Sequence, residues 1–354
     1  MIRVLCVFST LDRGGSESMC MNLYRNMDRT KVQFDYVKHT SEKGAFEDEI
    51  QELGGKIYEA PRLKIYNYRT YCNWWKNHFK NHPEHQIVHG HFFTISAVYF
   101  HIAHKFGRKT IGHVHASHSD ELEKKLLVKR IETEADYCFA CSENAGKWVF
   151  PHKDFFVLNN AADTEELSFN EEIRENYRLK LGLKDKIVLG TVANFSSVKN
   201  PMGLIDIFRA YKSVNPESCL LWVGDGDLRD KIENKIKELK LEDSIILLGK
   251  RDDVPKILQT MDLFLLPSLN EGLPVSVIEA QAAGLPCYLS DTITKEVNIT
   301  GLCKFLPLNN IGRWIDALNC PIEGRTDTSD LIKKSGYDIK ETSRWLQAFY
   351  ESIV

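Results

Sequence analysis

Long apolar runs are missing from this sequence. No stretch approaches the roughly 20 apolar residues that a membrane-spanning helix needs, which excludes a helical span. A leader segment is not expected either, because Val4 to Phe8 is too short for an apolar core and Asp12 and Arg13 follow it. An excess of one charge is also lacking: 46 Lys and Arg against 49 Asp and Glu give a net charge of -3, so no global electrostatic case exists for binding nucleic acid. Paired cysteines are absent as a pattern. The nine present are odd in number and scattered, which fits reduced thiols in a cytoplasmic protein better than a disulfide framework. No internal repeat or low-complexity tract interrupts the chain. What remains is a globular sequence of 354 residues, 43% hydrophobic, long enough for two domains with cores of their own.

Strand-like runs alternate with helical patterns in both halves, which predicts α/β domains with parallel sheets covered by helices. The first half opens with Arg3 to Phe8, turns through Gly14 and Gly15, and enters a helix near Ser16 to Asn26. Further strands are predicted near Phe34 to Val37, Ile87 to His89, Thr110 to His113 and Tyr137 to Ala140. The second half restarts at Lys186 to Val192. Between the halves, Asp163 to Lys186 is charged and weakly apolar, with Arg174, Tyr177 and Arg178 on a short helix. The domains are therefore placed at 1–165 and 166–337, with 166–185 as linker, followed by a terminal helix over 338–354 in which Trp345 and Phe349 share one packing face.

The second half carries most of the chemistry. Asp262 to Pro267 reads as a strand, Ser268 to Leu273 as a loop, and Pro274 onward as a helix start, with Gly284 at its left-handed C-cap. Glu271 then lies at the carboxyl end of a strand and Glu279 about one and a half turns into the helix, so both carboxylates can face one crevice. The plainer alternative is that Glu271 caps the helix and Glu279 is solvated. In Asn194 to Pro201, Asn200 can cap a helix and Pro201 can open it, leaving Lys199 beside a positive helix end suited to a diphosphate. Asp225 and Asp227 form a D-x-D pair that could hold Mg²⁺ or Mn²⁺, although their glycines suit a tight turn. Cys138 and Cys141 form a lone C-x-x-C in a strand, with no second pair to make a zinc site. All twelve histidines fall between His39 and His152, and His89, His91, His113, His115 and His118 occupy two strand ends; no Asp or Cys completes a persuasive ligand set, so no metal is expected.

Several segments, taken in order, resemble the retaining family 4 glycosyltransferases of GT-B fold, in particular their capsular and exopolysaccharide branch. These are GGSES at 14–18, HVHASH at 113–118, ACSENAGKWVF at 140–150, VLNNAADTEEL at 157–167, SSVKN at 196–200, VGDGDL at 223–228, LGKRDDV at 248–254, EGLPVSVIEAQAAGLP at 271–286 and SDTITKEVNIT at 290–300. The resemblance implies two Rossmann-like, doubly wound domains facing a central cleft, and a metal-independent transferase of hexosyl type that needs no cofactor. A sugar would move from a nucleotide sugar, by expectation a UDP-sugar, to a glycan or polyprenyl-linked saccharide acceptor. Residue by residue it implies that Glu279 holds the ribose hydroxyls. Glu271, with the Gly272-Leu273-Pro274 turn, would contact the donor sugar and diphosphate, and Lys199 would neutralise the diphosphate. Gly15 would let a backbone approach the phosphate or acceptor, Arg251 would lie beside the base, and His115 would touch the transferred sugar. The chain departs from the family pattern at Asn194, where an arginine usually stands five residues before the lysine. Arg251 is a candidate for the missing charge. That departure also keeps open a degenerate, non-catalytic sugar-nucleotide-binding subunit, and a GT-B UDP-sugar epimerase is the rival enzyme.

On the acceptor side, Leu122 to Arg130 mixes apolar and basic residues in a way that suits peripheral contact with an anionic membrane face. The aromatic segment Tyr66 to Phe79 is a second candidate for that contact, against simple core packing of Trp74 or Trp75.

Overall fold

Strands that read as unbroken apolar runs are buried on both faces, and the computed structural model, which describes residues 1–91, 95–115, 130–321 and 324–354, places them accordingly. The chain forms two units, Met1–Ala161 with Ile339–Val354, and Ala162–Asp338. Unit 1 contains β1 (Ile2–Val7), β2 (Val32–Lys38), β3 (Ile57–Glu59), β4 (His85–Gly90), β5 (Lys109–Val114), β6 (Tyr137–Ala140) and β7 (Phe156–Val157). They form one parallel sheet in the order β3-β2-β1-β4-β5-β6-β7. Unit 2 contains β8 (Ile187–Val192), β9 (Ser218–Val223), β10 (Ile245–Gly249), β11 (Leu263–Leu266), β12 (Cys287–Ser290) and β13 (Cys303–Leu306), in the order β10-β9-β8-β11-β12-β13. In each sheet the chain starts in the middle, winds outward to one side, then returns and winds to the other. The strand order therefore reverses between β1 and β4 in unit 1 and between β8 and β11 in unit 2, and open sheets of this kind bind ligands at the carboxyl ends of those strands.

Helices cover both faces of each sheet. In unit 1 the helix Gly15–Asn26 and the last helix, Ile339–Ser352, pack on one face through Met19, Leu23, Leu346 and Tyr350. Trp345 and Phe349 stack with ring centroids 5.6 Å apart and lie against Phe139 and Phe156, so the terminal helix belongs to unit 1. The other face is filled from the helix Tyr68–Asn81, whose Tyr71, Trp75 and Phe79 are buried; Tyr66 and Tyr68 remain exposed. Core packing thus accounts for Trp75. In the segment 122–130, residues 122–129 lie outside the described residues.

Residues 166–185 do not behave as a free linker. The helix Glu171–Lys180 packs on unit 2, where Arg174 and Arg178 both bind Asp262 and Tyr177 donates to Asp253 at 3.1 Å. The charge that made this stretch look detached is spent on carbonyls and a carboxylate at the amino end of β11. Among the described residues, no helix is long and apolar enough to cross a membrane.

Candidate functional site

Three loops of unit 2 are tied together at the carboxyl ends of β8, β11 and β12. After β8, Asn200 takes a left-handed conformation (φ 52°, ψ 55°) and its side chain accepts from Gly203 N at 3.2 Å, capping the helix Pro201–Val214 with Pro201 in the first turn. The other end of the same amide donates to the Pro267 carbonyl at 3.0 Å, and Leu269 N donates to Val198 O at 2.8 Å. These bonds hold Lys199 opposite Glu271. The two side chains form an ion pair, and Ser268 Oγ donates to the same Glu271 oxygen at 2.8 Å. From β12, Ser290 and Thr292 hydroxyls both donate to the Ser268 carbonyl, at 2.5 and 2.8 Å. The structure therefore brings Lys199 and Glu271 to the point where the strand order reverses, on a loop fixed from three strands.

The helix that follows begins at Val275, with Pro274 buried at the cap position and no side chain capping it. Glu271 is thus no helix cap; its carboxylate serves Lys199 and Ser268. Gly272 is exposed and Leu273 packs on the core, so the turn presents backbone outward. Gly284 ends the helix in the left-handed conformation (φ 69°). Glu279 is half-buried, and among the described residues its carboxylate has no hydrogen bond or ion pair. Burial, reinforced by the charge of Glu166, pushes its pKa up from 4.5 to about 7. A desolvated carboxylate without a partner gains most from hydroxyl donors of a ligand.

Other sequence candidates in unit 2 are placed differently. Arg251 makes a bidentate pair with Asp253, at 2.8 and 2.7 Å, which in turn accepts from Tyr177. Its charge is engaged locally by Asp253. Asn194 itself is exposed and its side chain makes no hydrogen bond among the described residues. In the D-x-D pair, Asp225 accepts from Gly226 N at 2.8 Å and pairs with Arg229 at 3.2 Å, contacts that hold its pKa below the usual range. A Cβ on Gly224 would sit 2.0 Å from the Ala193 carbonyl oxygen, so this loop is glycine-rich because it must lie against the loop after β8.

In unit 1, Gly15 opens the helix Gly15–Asn26 at the end of the loop after β1, and a Cβ there would meet no atom within 4 Å. Packing inside the unit does not demand glycine at this position. His89 on β4 and His91 just past its end lie beside His113 on β5 and His115 just past its end, because the strands run parallel with His89 opposite Ile111 and alternate residues share a face. His91 Nδ1 bonds His115 Nε2 at 2.9 Å, His89 Nε2 bonds His113 Nδ1 at 3.2 Å, and His89 Nδ1 bonds Tyr350 Oη at 2.6 Å. Burial lowers the pKa of His115 to about 4 and of His89 to about 3, and holds His91 and His113 well below the usual imidazole value, so all four are neutral imidazoles at pH 7. The expectation that no cysteine joins these histidines is corrected by the fold. β1 pairs with β4 so that Cys6 lies opposite His89, and Cys6, Cys20 and His91 place ligand atoms within 4.8 Å of one another. Cys138 and Cys141 are buried free thiols, and the first is pushed up to about 12 by burial.

Sequence reasoning did not find Ser268, Thr292 or Glu166. Ser268 is adjacent to a recognised motif, but its part depends on which strands are neighbours. Glu166 acts on Glu279 across more than a hundred residues of chain, and only the fold brings them together.

Comparisons with known proteins agree with this architecture. The family model described as Glycosyl transferases group 1 matches residues 173–310. EpsF of Bacillus subtilis (strain 168), which carries the name of a glycosyltransferase, is 31% identical over 361 residues, covering 96% of this chain and 94% of EpsF. An Escherichia coli UDP-Gal:alpha-D-GlcNAc-diphosphoundecaprenol alpha-1,3-galactosyltransferase is 33% identical over 220 residues, 55% of this chain and 54% of that one. The crystal structure of Anabaena Alr3699/HepE in complex with UDP and glucose superposes with a TM-score of 0.81 at 16% identity, covering all of both chains. The sucrose-phosphate synthase of Thermosynechococcus elongatus gives 0.79 at 14%, covering 100% of this chain and 99% of that one. With two parallel-sheet units, a GT-B architecture and a relative matched along nearly its whole length, this chain belongs to the group 1 glycosyl transferases.

Proposed function

We propose that this chain is a retaining, metal-independent family 4 transferase. It moves a hexosyl group from a UDP-sugar to a glycan or polyprenyl-linked saccharide acceptor, in the synthesis of a capsular or exopolysaccharide. The observation that carries this reading is the Lys199–Glu271 pair at the strand reversal of unit 2, followed by a helix whose Glu279 is half-buried and has no partner among the described residues. Glu279 accepts from the ribose hydroxyls. Lys199 and the start of the helix Pro201–Val214 take up the charge that develops on the leaving diphosphate, work that a divalent cation does in other transferases. Gly272 to Pro274 set the diphosphate and sugar against Glu271. On the acceptor side, Gly15 admits a close backbone approach and neutral His115 offers a hydrogen bond to the transferred sugar.

Retention follows from attack on the same face as the leaving group. The acceptor hydroxyl forms the new bond to the anomeric carbon as the carbon–phosphate oxygen bond breaks, and the departing phosphate oxygen takes the hydroxyl proton. Glu271 and Glu279 are not the acid and nucleophile of a retaining glycosidase, which must flank one bond; Glu279 is committed to ribose. The E. coli relative's UDP-galactose donor and diphosphoundecaprenol-linked acceptor support the donor and acceptor classes. A lipid-linked acceptor in turn supports action in the cytoplasm with peripheral contact at the inner membrane face.

The test is incubation of the purified protein with labelled UDP-sugars and a polyprenyl diphosphate-linked saccharide, with product stereochemistry read by NMR. Transfer with retained anomeric configuration is expected. Conversion of the donor without acceptor would instead make the chain an epimerase, and UDP binding with neither hydrolysis nor transfer would make it a binding subunit.

A further inference from the structure

Near the end of β4, two thiols and three imidazoles form two buried triads to which the proposed transfer assigns no role. Cys6, Cys20 and His91 each place a ligand atom within 4.8 Å of the others, and so do His89, His91 and His113. The two triads share His91. Both nitrogens of His89 are spent, one on Tyr350 and one on His113. His91 and His113 differ from it in the same way: each has its Nδ1 held by another histidine and its Nε2 buried with no hydrogen-bond partner among the described residues. For His91, which lies beside the two thiols, that is the arrangement of a metal-ligating histidine, whose second nitrogen is fixed by an outer partner while the first faces the ion. His91 is 7% exposed, so its orphaned nitrogen represents a real desolvation cost that an ion would relieve.

We propose that unit 1 binds one zinc-class ion through Cys6, Cys20 and His91, with a solvent ligand completing the tetrahedron. Two thiolates and an imidazole select a borderline-soft d¹⁰ cation over Mg²⁺ or Ca²⁺. Binding breaks both S–H bonds, forms two S–metal bonds and releases two protons to solvent. The divalent ion and two thiolates sum to zero charge, which suits a core position. Ligands of a tetrahedral zinc lie roughly 3.3–3.8 Å from one another, so the first triad closes by about 1 Å of side-chain rotation. The ion would pin the helix Gly15–Asn26, through Cys20, to β1 and to the loop that leaves β4. This site is independent of the donor-binding residues of unit 2.

The test uses full-length protein without a histidine tag, loaded with Zn²⁺ or Co²⁺ alone and desalted. About one zinc per chain is expected, and Co²⁺ should give intense thiolate-to-metal charge-transfer absorption in the near ultraviolet with tetrahedral d–d bands. Cys20→Ser should remove at least half of the charge-transfer intensity, whereas Cys320→Ser, at an exposed thiol, should leave it intact. Zinc below about 0.1 per chain, or a cobalt spectrum without thiolate charge transfer, overturns the site. The wild-type cobalt spectrum decides the matter even where Cys20→Ser fails to fold.

Discussion

Replacing Glu279 with glutamine should move stability and nucleotide binding in opposite directions, by amounts that follow from its environment. Burial and Glu166 raise this carboxyl from 4.5 to about 7. Because the folded-state pKa exceeds the unfolded one, the folded protein holds the extra proton between those values. Stability therefore falls as pH rises through that window, and the full cost is present above pH 7. A gap of this size corresponds to about 3 kcal/mol, an upper bound for a side chain that keeps some contact with water. Glutamine has the same shape and no charge to desolvate. Glu279→Gln should thus stabilise unit 2 at pH 8 by about 1–3 kcal/mol, seen as roughly 2–4 °C in Tm per kcal/mol, and should match wild type near pH 4.5. The same change removes a charged acceptor from the ribose diol, at about 1.5–3 kcal/mol, so UDP should bind roughly 10–100-fold more weakly at pH 8. Scanning calorimetry and titration calorimetry between pH 5 and pH 8 measure both. The ratio of the two affinities cancels the titration of the diphosphate itself, and it should shrink as pH falls below 7. A variant less stable than wild type at pH 8, or a UDP affinity within twofold of wild type there, would refute the assignment of Glu279 to ribose.

Lys199→Ala should lower kcat/KM by about 100- to 1000-fold, as expected for loss of a charge aimed at the leaving group, while circular dichroism and Tm stay near wild type; unchanged turnover would remove Lys199 from the site. Glu271→Ala should lower kcat by about 10- to 100-fold, measured with the same coupled release of nucleoside diphosphate, and an unaltered rate would reduce the Lys199–Glu271 pair to a structural contact. Initial rates should survive EDTA, and restoration by Mn²⁺ of activity lost to EDTA would return Asp225 and Asp227 to consideration as ligands. Leu346→Ala, at a fully buried position of the terminal helix, should cost about 2–5 kcal/mol in urea unfolding of unit 1; a loss under about 1 kcal/mol would show that this helix contributes little to the core.

Much of this architecture was legible because parallel strands buried on both faces leave an uninterrupted apolar signature. The runs at β1, β4, β8 and β11 are each legible within one or two residues of their ends. Short edge strands such as β7, with two residues, leave no such trace. Lys199, Glu271 and Glu279 were legible as local patterns: a proline-opened helix, a glycine-proline turn and a helical spacing. Their partners were not. Ser268 and Thr292 contribute through bonds between neighbouring loops, and Arg251 looked like a free cation until the fold showed Asp253 and Tyr177 around it. The histidines show the same limit more sharply. An alternating pair on one strand says which face it uses, but not that a second pair lies in register beside it, or that Cys6 and Cys20 close the pocket from β1 and its helix.

The Lys199–Glu271 pair has a consequence for how the donor enters. With no ligand present, the ammonium is already held by a carboxylate that is itself fixed by Ser268, so Lys199 loses little side-chain entropy when the diphosphate arrives. The cost is electrostatic. A diphosphate approaching this loop meets a neutralised lysine and a nearby negative carboxylate, and it gains the cation only when Glu271 turns toward a different set of donors. The hydroxyls of a donor sugar are such donors; free UDP brings none at that position. In the proposed donor site, Glu271 would thereby couple sugar recognition to release of Lys199 onto the phosphate. UDP-sugar should bind more tightly than UDP in wild type, and Glu271→Gln should bind UDP more tightly than wild type does while losing that preference. Calorimetric titration of both ligands into both proteins would measure this. A preference that survives in Glu271→Gln would mean that the pair only braces the loop and takes no part in sensing the sugar.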